Sequence, residues 1–266
     1  MNIKKIISIL LVITLVFSSI PSISKVFAEG DNLEISNNEN FEVVEDSNKE
    51  ITVEATVPEE NAVVEASFDK INSEFTITSQ EEDKDGNLVE KEYNVLIETA
   101  TDEELIATFI DKETGEEYNV NTNEFKTSLV WLIPIGVVLG EALIAHLISA
   151  GLAVVIAGIT YTAVKEVAKE LKKKKHEHYM AVLTKGDLYI GNSLSKAQAV
   201  SRLKSSDKKN NNVWSVSYSA AAKIAREAGG NRTPIGPERD KGKSSAEGYY
   251  FHFHLYNRSG GHSFYY

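Results

Sequence analysis

The chain contains no cysteine. That absence excludes a disulfide scaffold, a cysteine-ligated zinc ribbon and any thiol nucleophile. Basic residues are scarce between Glu29 and Thr127, where 29 acidic residues face only 6 basic ones. Charge of either sign is nearly missing from Leu129 to Val164, a 36-residue stretch whose one formal charge is Glu141. What is present is a strong polarity. From Lys165 to Tyr266 the balance reverses, with 19 basic and 9 acidic residues, so the net charge of -11 conceals an acidic and a basic half. With 42% hydrophobic and 25% charged residues the 266-residue chain is neither wholly disordered nor collagenous. The expectation is a multidomain protein: a small antiparallel β domain, an apolar helical segment and an α+β C-terminal domain.

Lys4 and Lys5 precede an apolar run from Ile6 to Phe17, and Val26-Phe27-Ala28 stands before Glu29. A positive start, a core of secretory length and an A-x-A-like site predict a signal peptide over residues 1–28; an uncut anchor is the alternative. A secreted protein without cysteine suits a Gram-positive bacterium, which does not rely on disulfides to stabilise exported proteins.

Residues 29–48 read as a flexible acidic N-terminus. Over residues 49–127 alternating polarity predicts strands at Ile51–Val57, Ala62–Phe68, Phe75–Thr78, Leu105–Ile110 and Tyr118–Val120. Turns are expected at Asp83–Asn87 and Asp111–Gly115, which bring Gly and Asn to positions of positive φ. The acidic face of this sheet either keeps the chain soluble or shields the basic C-terminal domain by imitating a phosphate-rich ligand.

Residues 128–175 form the apolar segment with its Lys-rich end. A straight helix over 129–164 would be about 54 Å long against a hydrocarbon core of about 30 Å, so it must bend, fold back or be only partly embedded. Pro134 limits the start of a first helix and Ser149-Ala150-Gly151 marks a break, while Leu143–Val164 alone is long enough to span. Gly136-xxx-Gly140 offers a face for close helix approach. The reading is membrane association through residues 129–164; the alternative is a compact helical hairpin buried in protein.

The basic domain, residues 176–266, carries five of the six histidines: His176, His178, His252, His254 and His262. A hairpin is expected across Lys185-Gly186-Asp187, a helix over Lys196–Lys204 capped by Ser195, a strand at Val213–Val216, and a helix over Ala220–Ala228 capped by Ser219 and closed by Gly229-Gly230. His252 and His254 are two apart on a predicted strand and share a face, and a Gly260-Gly261 turn can return His262 beside them. Convergent imidazoles have two chemical uses: one takes a proton while another gives one, or three neutral rings ligate zinc. RNA cleavage needs only the first, because the 2′-OH is an internal nucleophile. On that reading His252, His254 and His262 are the acid–base candidates, and no cofactor or metal is required. Arg258 stabilises the phosphate together with Arg239 and Lys241, and Glu238 is a further base or orients a histidine. Tyr249, Tyr250 and Tyr256 are candidates for stacking on RNA bases.

The order Val213-Trp214-Ser215, Ala220 to Ala225, Pro234-Ile235-Gly236-Pro237-Glu238, Gly248 to His254 and Asn257 to Phe264 resembles a secreted toxin family of Gram-positive bacteria. Its HxH and GGHSF tail also looks like the C-terminal modules of polymorphic toxins. The resemblance covers most of the chain loosely and is specific in the last fifty residues. It implies a toxin role, and by analogy a metal-independent nuclease tip with catalytic histidines and a cognate immunity protein as partner. Leu255 stands where the family has proline, which leaves the turn after the HxH open. Two other functions compete: a membrane-active toxin working through residues 129–164, and a His-dependent zinc module or wall hydrolase. The sequence lacks the HxxxD element that a familiar zinc wall peptidase requires.

Overall fold

The computed structural model describes residues 41–58, 61–82, 86–101, 104–122, 133–208, 210–239 and 249–265. The expected signal peptide, most of the acidic N-terminus, part of the Asp83–Asn87 turn and Lys241 lie outside the described residues. The fold is mostly β, with two sheets and four helices among the described residues. The chain divides between Thr160 and Tyr161 into two compact units.

In the first unit, β1 (Glu42–Asp46), β2 (Glu50–Val57), β3 (Ala62–Asp69), β4 (Glu74–Glu82), β5 (Leu88–Ala100), β6 (Leu105–Asp111) and β7 (Glu117–Asn121) form an antiparallel meander in chain order. Alternation sets its two faces. Ala62, Val64, Ala66 and Phe68 of β3 point inward, as do Phe75 and Ile77 of β4 and Tyr93, Val95 and Ile97 of β5. The outer face carries the charge, and Glu54 stands directly opposite Glu65. Burial, then Glu54 and Glu90, raise the carboxyl pKa of Glu65. The β6–β7 turn forms where expected, because Asp111 Oδ1 accepts the backbone N–H of Glu113 and of Thr114, both at 2.9 Å. Residues 42–46, expected within the flexible N-terminus, form a strand: they pair with β2, and the buried Lys70 holds Asp46 at 2.7 Å.

The apolar segment is also corrected. Among the described residues no helix is long and apolar enough to cross a membrane. Residues 135–164 instead form a 15-residue helix α1 (Ile135–Ser149) and two strands, β8 (Ala153–Ile156) and β9 (Ile159–Ala163). The expected break at Ala150-Gly151 is where α1 stops, with Gly151 at φ 79°. Helix α1 buries Val137, Leu139, Ala142, Leu143, Ile144, Leu147 and Ile148 in the core of the first unit. Gly140 serves the approach of helix to sheet, since a Cβ there would lie 2.8 Å from Ile77 Cγ1. The long apolar run is therefore core on almost every side of the helix, a pattern that hydropathy does not separate from a lipid-facing span.

The second unit starts at Tyr161 rather than at residue 176, because β9 pairs with β11 at Ala163 and Thr162. It contains α2 (Val164–Leu171), β10 (His178–Thr184), β11 (Asp187–Leu194), α3 (Lys196–Lys204), β12 (Asn212–Ser215), α4 (Tyr218–Ala228), β13 (Ile235–Glu238), β14 (His252–His254) and β15 (Ser263–Tyr265). The sheet order is β13-β14-β15-β12-β10-β11-β9. Neighbours from β13 to β9 pair antiparallel, except β12 with β15, which are parallel. Ser195 caps α3 in a complete capping box with Gln198. Ser217, not Ser219, caps α4, because the helix starts two residues earlier than its alanine run implies. Ala199 and Leu203 of α3, Ile224 and Ala228 of α4, Val213 and Leu255 form the core beneath the site.

Candidate functional site

Three strands bring the site together. β14 carries His252 and His254, β13 ends at Glu238 opposite His252, and β15 starts directly after His262. The return that delivers His262 depends on glycine. Gly260 has φ 76°, and a Cβ on it would meet the Leu203 carbonyl oxygen at 2.1 Å; a Cβ on Gly261 would meet that of Asn211 at 1.9 Å. No side chain fits between these backbones. The Gly261 N–H then donates to the Leu203 carbonyl, and the Val213 N–H to the His262 carbonyl.

The three rings converge. Ring centroids lie 5.0 Å apart for His252–His254 and His252–His262, and 4.6 Å apart for His254–His262. Each ring also has an outer partner. His252 Nδ1 donates to the Tyr250 carbonyl at 3.1 Å, and His254 Nε2 donates to Glu238 Oε1 at 2.8 Å. Asn212 Oδ1 accepts both the backbone N–H and the ring Nδ1–H of His262, at 2.9 and 3.0 Å. All three acceptors are oxygens, so in the neutral state each ring carries its hydrogen on the nitrogen named and its lone pair on the other.

Glu238 links this cluster to Arg258. The Arg258 guanidinium donates to both carboxylate oxygens, at 2.7 and 2.8 Å. That clamp, followed by the hydrogen bond from His254, holds the Glu238 carboxyl down at about 2 against the effect of burial. Burial and then the neighbouring His252 push the pKa of His254 below the ordinary histidine value, although Glu238 pulls it the other way. Glu238 thus stands as an ionised orienting group rather than a free base.

The remaining expectations divide. His178 is buried on β10 with Nδ1 2.9 Å from Ser215 Oγ, and His176 packs edge-on to Tyr179; neither belongs to the ring cluster. Tyr250 is buried, so its ring is no stacking platform, and its carbonyl serves His252 instead. Tyr249 is half-buried. Tyr256 is exposed and lies under the Arg232 guanidinium at 4.2 Å. Arg239 sits 4.8 Å over the exposed Phe251 ring. Sequence reasoning missed Asn212 and Phe251. Asn212 carries no local signal, being fifty residues from the ring it holds, whereas Phe251 was visible as the alternate member of the Phe251-His252-Phe253-His254 strand.

Protein families, curated proteins and solved structures contain no match to this chain. The site is therefore read from its own chemistry.

Proposed function

We propose that the chain is an exported bacterial toxin whose second unit cleaves RNA without a metal, by general acid–base catalysis. The observation that carries this reading is the convergence of three imidazoles, one of them bonded to a carboxylate that a guanidinium holds ionised. His254, its Nε2–H fixed by Glu238, has its lone pair on Nδ1 and takes the proton of a ribose 2′-OH. The freed oxygen attacks phosphorus, the bond from phosphorus to the 5′-oxygen breaks, and protonated His262 gives that oxygen its proton. The products are a 2′,3′-cyclic phosphate and a 5′-OH end. Rings this close repel one another when both are charged, which favours one protonated and one neutral member. Arg258 uses two of its five donors on Glu238 and keeps the rest for the phosphate. Arg239 on Phe251 and Arg232 on Tyr256 offer cationic, aromatic surfaces to single-stranded RNA.

The test is expression of residues 29–266 in a bacterial cytosol. Growth arrest with loss of RNA integrity, abolished by His254→Ala or His262→Ala, is the expected result. Arrest with intact RNA overturns the ribonuclease reading.

A further inference from the structure

The same three rings satisfy the requirements of a different occupant. The ligand nitrogens that His252, His254 and His262 offer lie within 4.8 Å of one another. A tetrahedral zinc site with metal–nitrogen bonds of about 2.0–2.1 Å spaces its nitrogens about 3.4 Å apart, so binding draws the rings together. Metal-bound histidines almost always donate their second ring N–H to a carboxylate, a carbonyl or a similar acceptor, which fixes the tautomer and strengthens the ligand. Here all three do: His252 to the Tyr250 carbonyl, His254 to Glu238 and His262 to Asn212. Acid–base catalysis by two rings does not require that complete outer set. The ligands are neutral nitrogens with no thiolate, a donor set that suits zinc and its first-row neighbours rather than calcium or magnesium.

We propose that His252, His254 and His262 form a three-imidazole site for a first-row divalent metal ion, best suited to Zn2+, and that its occupation switches the ribonuclease off. The second clause rests on the acid–base reading above; the first does not. A bound ion takes the lone pair that His254 needs to accept the 2′-OH proton and the nitrogen from which His262 would donate. With three protein ligands the ion keeps an open fourth position for water. Glu238, clamped by Arg258, remains an outer partner of His254.

The experiment uses the untagged chain, stripped with chelator and titrated with ZnCl2 by calorimetry, with RNA cleavage followed in parallel. One zinc per chain is expected. His252→Ala and His262→Ala each abolish that binding, and His176→Ala leaves it unchanged. Glu238→Gln and Asn212→Ala keep all three ligands and weaken binding about 10- to 100-fold. A folded wild-type chain that takes up no zinc at micromolar concentration overturns the site, and so does binding that survives His252→Ala and His262→Ala together. Because the ligand variants touch the core, zinc must also raise the melting temperature of the wild type but not of Glu238→Gln at the same low concentration; equal shifts overturn it. Cleavage lost on adding zinc and restored by chelator supports the switch, and cleavage that zinc stimulates overturns it. Zinc uptake by a chain that never cleaves RNA supports the site while refuting the ribonuclease and the switch that rests on it.

Discussion

His254 donates its Nε2 proton to Glu238 at 2.8 Å, and this bond decides which nitrogen of the ring keeps its lone pair. Replacing the carboxylate by an amide removes the charge that favours this tautomer while keeping the shape. Glu238→Gln should lower RNA cleavage, by up to the about 10²-fold share of the acid–base group that it orients, with an unchanged circular dichroism spectrum. A full rate in this variant would show that Glu238 does not orient His254.

Gly140 offers a test of sign. An alanine at an interior helical site normally adds about 1 kcal/mol relative to glycine. Here its Cβ would press on Ile77 Cγ1 at 2.8 Å, and overpacking a filled core costs about 1–3 kcal/mol. Gly140→Ala should therefore lower stability in urea denaturation. A gain would mean that α1 does not lie this close to β4.

Glu141 sets a pH dependence. It is buried and burial alone raises its pKa from 4.5 to about 8. The folded chain therefore holds this proton where the unfolded chain has lost it. Its contribution is complete below pH 4.5 and is lost as pH rises towards 8. Burial lowers the pKa of His146 on the same helix, so that neutral ring loses its contribution in the opposite direction, as pH falls below 6.5. Between pH 6.5 and 8 the decline belongs to Glu141 and amounts to about 2 kcal/mol. Glu141→Gln should flatten stability over that window in denaturant melts at stepped pH.

Ser217 and Ser219 separate two descriptions of α4. The Ala220 N–H donates to Ser217 Oγ at 3.2 Å, so Ser217→Ala should cost about 1 kcal/mol. Ser219 lies within the helix, and Ser219→Ala should change thermal stability little. The reverse order would move the helix start.

Much of this architecture was legible locally. Alternation in residues 51–57, 62–68 and 105–110 marked strands that formed, and Ser195 with Gln198 marked a cap that formed. The shared face of His252 and His254 followed from the strand period of two. What was not legible depends on distant partners. β1 is acidic and becomes a strand through β2 and Lys70. The run from Leu143 to Val164 looked like one span because core helix and lipid helix have the same composition; burial against β3 and β4 and the turn at Gly151 separate them. The closing position of His262 required Leu203, Asn211 and Asn212, none of which the tail itself announces.

β15 lies between β14 and β12, and it is the last of the three in chain order. As the polypeptide leaves the ribosome, β12 and β14 are present before the strand that joins them. Until residues 262–265 emerge there is no third imidazole beside His252 and His254 and no strand joining β14 to β12, so the ring cluster and the closed sheet can only form together.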